Sequence, residues 1–163
     1  MLIIYENAGT GNNFEQLKPQ TRDKIQNAYS VKVAEVRDNT GGFQIEPTLS
    51  PQQTIQQIKA EADNLKFSDK SAAIYHVEKH YEEFPPSHKK ANIRFNNYWQ
   101  SSVETIKKST NVTSFYDQLT GNRSFIFKHT YEEQSKPYYL QTIVNVSRNG
   151  IVEIRTYFNF KNK

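Results

Sequence analysis

The chain has no cysteine among its 163 residues, a single methionine, and only six glycines and six prolines. Without cysteine, disulfides and thiolate metal sites are excluded, so we expect a fold that does not depend on the redox compartment. No stretch approaches the ~18 consecutive apolar residues that a membrane-spanning helix requires. Residues 1–7 become polar too soon for a signal peptide, so export would need another part of a longer chain or a separate machinery. The length suggests one domain, or a small domain with an appendage.

Aromatic side chains and positive charge are what the sequence has in abundance. Ten Phe, ten Tyr and one Trp supply the apolar surface to close a core in a chain that is only 36% hydrophobic. Residues 1–64 carry six basic and eight acidic side chains, a net of −2, whereas residues 65–163 carry fifteen and nine, a net of +6. A basic, aromatic-rich C-terminal part favours a polyanionic partner such as nucleic acid.

The spacing of apolar residues predicts helices first and strands afterwards. Helical spacing runs from Leu17 to Val36, Ser50-Pro51 and Ser68-Asp69 are helix starts, and a further helix is expected over about 97–109. Four later segments are rich in β-branched and aromatic residues, namely 112–119, 123–131, 138–147 and 151–160. This order predicts an α+β fold, with N-terminal helices followed by an antiparallel β-meander of four or more strands.

The last hairpin permits a closer prediction. A three-residue loop that ends at Gly150, with this glycine in the left-handed region, sorts apolar from polar side chains better than a two-residue loop. In that register Val144 lies beside Ile154 on the buried face. Because a slip by one residue reverses every side chain, the sorting favours this register and places Arg155 and Tyr157 on the open face.

Two of the four histidines, His76 and His80, stand four residues apart and would share one face of a helix. Such a pair can chelate zinc, but Val77 stands where the His-Glu-x-x-His motif has its glutamate, and no third ligand has a recognisable spacing. We therefore expect no metal site and no cofactor. The same pair can also be an inert polar helix face, so spacing alone does not decide.

General acid–base chemistry on RNA is the interpretation that uses these residue types best. A histidine titrates near neutrality and can both take and give a proton. RNA carries its own nucleophile, the 2′-hydroxyl, so cleavage needs a base, an acid and a cation for the phosphorane, but no metal. The candidate catalytic residues are His80, His76, Arg155, Tyr157 and Thr156. The candidate substrate-binding residues are Lys79, Arg123 and Lys128.

Two stretches of the chain resemble a known group of proteins. One is the segment from Lys66 to Ser71, followed by His76-Val77-Glu78-Lys79-His80, and the other is the basic meander that ends in residues 149–158. Together they look like the C-terminal nuclease domains of bacterial polymorphic toxins, including contact-dependent growth inhibition toxins of the barnase/EndoU/colicin/RelE-like (BECR) ribonuclease fold. The resemblance covers about residues 65–163.

The resemblance implies an endoribonuclease toxin, with tRNA as a candidate substrate, in which His80 is base or acid. Thr156 and Tyr157 would match the cluster on the terminal strand, although adjacent strand residues point to opposite faces. Residues 1–64 would be a helical region for entering target cells or a linker, and residues 65–163 the nuclease domain. We expect export as the C-terminal part of a larger bacterial protein, action in the target-cell cytoplasm, and a cognate immunity protein that is acidic where it meets the basic face.

Two other functions remain open from the sequence. A DNA-cleaving toxin on the same scaffold would need a divalent metal and would ignore the 2′-hydroxyl. A basic nucleic-acid-binding module without enzymatic activity would bind in a salt-sensitive way and release no product.

Overall fold

The computed structural model of the chain describes residues 43–90 and 94–160. The helical region predicted from Leu17 to Val36 lies outside the described residues. Within the described residues the elements are, in order, β1 (Phe43–Gln44), α1 (Pro51–Ala60), α2 (Lys70–His80), α3 (Arg94–Lys108), β2 (Asn111–Tyr116), β3 (Arg123–Glu133), β4 (Lys136–Val146) and β5 (Ile151–Asn159).

The strands form one antiparallel sheet in the order β1-β5-β4-β3-β2. The predicted α+β class is confirmed, and strands β2 to β5 form the predicted meander. The predicted order of elements needs one correction, because β1 precedes the three described helices. Its Phe43 pairs with Val152, which adds a short edge strand beside β5.

Helices α1 and α2 begin where the sequence predicts. Ser50 Oγ accepts a hydrogen bond from the N–H of Gln53, the Gln53 side chain accepts one from the N–H of Ser50, and Pro51 occupies the first turn. In α2 the cap is Asp69, whose Oδ1 accepts from the N–H of Ala72 at 2.8 Å. This cap fixes where α2 starts and therefore which of its side chains face the sheet.

One hydrophobic core lies between the sheet and the helices. Its fully buried side chains include Ile58 from α1, Val77 from α2 and Tyr98 from α3. Removal of such apolar surface from water is the main stabilising contribution to the fold. Because Ile58 packs in the same core as the later elements, residues 43–64 form no separate packing unit. The proposed use of residues 1–64 for entering target cells stays a prediction.

A β-bulge in β5 decides which residues of the last strand face the core. Before the bulge the predicted register holds, with Val144 opposite Ile154, and Gly150 has the expected positive φ of 88°. Arg155 is the extra residue, and beyond it the pairing with β4 is offset by one. The prediction that Tyr157 lies on the open face is therefore wrong, because the offset turns its side chain into the core.

Candidate acid–base site between helix α2 and strand β5

The segment that precedes α2 runs alongside β5 and positions the helix. The N–H of Ile154 donates to the carbonyl oxygen of Lys66 at 2.8 Å, and Phe67 forms a parallel bridge with Ile154. Helix α2 then packs against β5. Its histidines meet side chains of the outer face of the sheet, which is the face opposite the core.

The two predicted histidines and Thr156 form one cluster there. Thr156 Oγ1 lies 3.2 Å from His76 Nδ1, a hydrogen bond whose direction depends on the tautomer of the ring. The rings of His76 and His80 are stacked, with centroids 6.0 Å apart and planes inclined by 10°. The i, i+4 spacing on α2 produces this stacking, and the bulge at Arg155 brings Thr156 to the outer face.

Glu83 completes the cluster and was missed by the sequence analysis. Its Oε2 lies 2.8 Å from His80 Nδ1, and the two side chains are only 21% and 14% exposed. Glu83 is itself held, because its Oε1 accepts from the N–H of Asn159 and its carbonyl oxygen from the Asn159 side chain, both at 3.1 Å. This contact orients the His80 ring and leaves its Nε2 for another partner. The three-residue spacing from His80 to Glu83 was the available signal.

The surroundings of His76 favour its neutral form. Burial, and then the positive charges of His80, Lys79 and Arg155, lower the pKa of His76 from 6.5 to about 3. The predicted site residues Lys79 and Arg155 therefore lie close enough to act on its charge. At neutral pH the His76 ring is uncharged and can accept a proton or a hydrogen bond.

The basic side chains of the outer face surround the cluster. Arg155 is exposed and has no hydrogen bond or ion pair with another described residue. Lys79 Nζ lies 5.7 Å from the centroid of the Tyr75 ring. Lys128 belongs to the same cross-strand row as Phe158, whose ring lies 5.8 Å from that of His80.

Two predicted site residues lie on the opposite side of the sheet. Arg123 is on the core face, where its Nη1 donates to the carbonyl oxygen of Leu49 at 3.0 Å and to Thr54 Oγ1 at 3.1 Å. It anchors the start of α1 and does not point toward the histidines. Tyr157 is fully buried and stacks on Phe84 with centroids 4.3 Å apart. Its role in the described structure is packing.

A second histidine cluster lies beside α3, at an open cavity of about 560 Å³. His88 Nδ1 is 2.6 Å from Ser101 Oγ, which also shares a hydrogen bond with the hydroxyl of Tyr157. Burial lowers the pKa of His88, whereas the nearby carboxylates of Glu133 and Glu104 act to raise it. The cavity is lined by side chains of both signs, Asp63 and Glu104 together with Lys90.

Among residues 43–90 and 94–160, no group of three or more His, Asp or Glu side chains is arranged to hold a metal ion. No helix in the same ranges combines the length and apolar character needed to cross a membrane. Comparison of the chain with protein-family models, with curated proteins and with solved structures gives no match.

Proposed function

We propose that the protein is an endoribonuclease that cleaves RNA by transphosphorylation from the 2′-hydroxyl, without a metal. The observation that carries the proposal is the pair of stacked histidines, one neutral beside Thr156 and one bonded to Glu83, on a sheet face that also presents Arg155. These groups supply a base, an acid and a cation, which are what this reaction requires.

His76 and His80 divide the proton transfers. His76 is in the unprotonated form of a base at neutral pH, and it takes the proton of the 2′-hydroxyl as this oxygen attacks phosphorus. His80, whose ring is held through Nδ1 by the contact with Glu83, gives a proton from Nε2 to the 5′-oxygen as the P–O5′ bond breaks. The products are a 2′,3′-cyclic phosphate and a free 5′-hydroxyl.

Binding of the substrate phosphate also changes the pKa of His76. Burial and the charge of His80, and then Lys79 and Arg155, lower the pKa of His76 in the free protein. A phosphodiester next to Lys79 and Arg155 offsets their part of this effect, so the pKa of His76 rises when substrate binds. Arg155 then stabilises the negative charge that accumulates on the phosphorane oxygens.

The cluster at His88 is less suited to this reaction. Its cavity is lined by Asp63 and Glu104 as well as by Lys90, and Glu133 lies near His88. These carboxylates reduce the attraction for a polyanion, whereas the charged groups that act on His76, Lys79 and Arg155 among them, are all positive. The charge distribution therefore favours the site between α2 and β5.

The biological setting of the proposal comes from the resemblance of residues 65–163 to BECR-fold toxin domains. It supports a toxin role in bacterial competition, with tRNA as a candidate substrate and delivery to the target-cell cytoplasm as part of a larger exported protein. The net charge of +6 in this region suits an acidic immunity protein that covers the basic face.

The test is cleavage of total bacterial RNA by the purified protein in EDTA, analysed on a denaturing gel. We expect discrete fragments from the parent, a loss of about 10²-fold or more in His80→Ala, and activity within a few-fold of the parent in His88→Ala. Thermal unfolding of both variants checks that they are folded.

Three outcomes would count against the proposal. Full activity in folded His80→Ala would remove His80 from the site. Cleavage only after addition of a divalent metal, and of DNA as well as RNA, would favour the metal-dependent nuclease. Salt-sensitive RNA binding with intact RNA in every lane would favour a binding module.

A further inference from the structure

A small cleft of about 190 Å³ opens on the outer face next to Arg155. Its walls come from the ends of strands β2 and β4, the start of β3 and the middle of β5, and they combine aromatic rings, neutral polar groups, one carboxylate and one guanidinium. Phe115 is paired with Ser124 on the outer face, whereas Tyr116 is paired with Arg123 and belongs to the row of the other face. The ribonuclease reaction described above uses Arg155 but gives the rest of this cleft no role.

The aromatic wall of the cleft is unusually open to solvent. Phe115 is 57% exposed and Tyr116 is 63% exposed, at the end of an edge strand of the sheet. Aromatic side chains on an open sheet surface provide platforms on which unpaired nucleic-acid bases stack. A base paired within a duplex has no free face of this kind to offer.

The polar wall offers hydrogen-bond donors to a base edge. Ser124 Oγ donates to Asn145 Oδ1 at 3.1 Å, which fixes the amide group. The amide nitrogen of Asn145 has no partner among the described residues, so its N–H groups are available to carbonyl or ring-nitrogen acceptors of a base. Asp117 also lines the cleft, and its Oδ1 accepts from the N–H of Leu119.

The cleft adjoins the histidine cluster through the bulge of β5. Arg155 lines the cleft, and the next residue, Thr156, contacts His76. The guanidinium has no other described partner and lies where it influences the charge of His76. The phosphate at Arg155 would therefore be the scissile phosphate, which joins the reacting ribose to the nucleotide whose base lies in the cleft.

We propose that this cleft is a nucleotide subsite, in which an unpaired base stacks on Phe115, contacts Asn145, and places its phosphate at Arg155. The inference rests on the proposed ribonuclease function and deepens it, because it names single-stranded RNA as the substrate class. Loops, bulges and single-stranded ends would be cleaved, and continuous duplex would not.

The test is binding of a short single-stranded RNA whose 2′-hydroxyls are replaced by fluorine, so that cleavage is impossible. Fluorescence anisotropy would compare the parent with Phe115→Ala and with Leu119→Ala, a matched control at a side chain that is 95% exposed and outside the cleft wall. A blunt RNA duplex of the same sequence would serve as the second ligand.

We expect Phe115→Ala to weaken binding of the single strand by about tenfold or more, which is the usual loss when a base-stacking ring is removed. Leu119→Ala should bind like the parent, and the duplex should bind more weakly than the single strand. Equal affinities of Phe115→Ala and parent, equal binding of duplex and single strand, or no binding by the parent would each overturn the subsite.

The subsite and the ribonuclease fail in different ways. If the parent binds the fluorinated strand through Phe115 but leaves ordinary RNA intact in the cleavage assay, the enzymatic proposal is wrong and the subsite stands. If the parent cleaves RNA while Phe115→Ala binds the single strand as tightly as the parent, the subsite is wrong and the enzymatic proposal stands.

Discussion

Two neighbouring residues of one strand belong to two different histidine clusters. Thr156 contacts His76 on the outer face of the sheet, whereas Tyr157 shares a hydrogen bond with Ser101, the partner of His88, on the core side. Each cluster places a histidine nitrogen beside a hydroxyl group. The local geometry alone therefore does not distinguish a reactive site from a structural one.

The charges around the two histidines separate the clusters. Burial lowers the pKa of both, but the charges near His76 are all positive, whereas those near His88 include Glu133 and Glu104 as well as Lys108 and His129. A uniformly positive surrounding attracts a polyanion more strongly than a mixed one. The difference teaches that the sign of the neighbouring charge is a better guide to this function than a short His–hydroxyl contact.

The largest expected effect follows from the burial of Tyr157. Tyr157→Ala should lower the free energy of unfolding by about 3–5 kcal/mol, because it empties a fully buried aromatic site against Phe84 and Tyr98. Thr156→Ala, one residue away and only partly buried, should cost about 1 kcal/mol, the value of one hydrogen bond. Urea-induced unfolding measures both changes.

Variants at the same two positions also separate effects on stability from effects on activity. Thr156→Ala should reduce RNA cleavage while it remains folded. Tyr157→Phe keeps the ring and should keep cleavage close to that of the parent. If Tyr157→Ala unfolds at the same urea concentration as the parent, then Tyr157 does not pack in the core, and the assignment of Thr156 and Tyr157 to opposite faces is wrong.

Local sequence signals were sufficient for most of the fold. Ser50-Pro51 and Asp69 cap helices in the structure, and the alternation in β4 predicts the pairing of Val144 with Ile154. These features depend on residues that are close in sequence or joined by a short hairpin. Residues 43–45 look like a strand in the sequence but were interpreted as part of a connector, because so short a segment carries too little periodicity to identify a strand of the sheet.

The site was harder to predict because one inserted residue reverses a strand. No residue type in β5 predicts the bulge at Arg155. The bulge nevertheless exchanges the faces on which Thr156 and Tyr157 lie. The position of Arg123 was also predicted wrongly. Arg123 stands two residues before the buried Phe125 in β3, so both side chains lie on the core face. Both errors concern which way a side chain points, which depends on tertiary packing that single residues do not reveal.

An acid-stability measurement sharpens the comparison between His76 and His88. The pKa of His76 is about 3 in the folded protein and 6.5 without the fold, so the unfolded chain binds more protons between these values. The free energy of unfolding must therefore fall as the pH falls from about 6.5 toward 3. We expect His76→Gln to reduce this dependence, as measured by urea unfolding between pH 7 and pH 4.

His88→Gln is the matched control for that measurement. The pKa of His88 is also lowered by burial, but Glu133 and Glu104 oppose the shift, so its removal should flatten the pH dependence less. Identical curves for parent and His76→Gln would show that the His76 ring is charged in the folded protein at mildly acidic pH. Its assignment as the neutral base would then be wrong.

The smallest expected effect comes from removing one positive side chain from each face of the sheet. Lys128→Met, on the outer face, should weaken RNA binding a few-fold and reduce the salt dependence of the affinity by about one unit of slope, because one phosphate contact is lost. Arg123→Met should leave RNA affinity unchanged and lower stability, because Arg123 donates to Leu49 and Thr54. RNA titrations over a series of salt concentrations, together with urea unfolding, measure both effects. Since both variants remove one positive charge, equal losses of RNA affinity would mean that net charge, and not the outer face, governs binding.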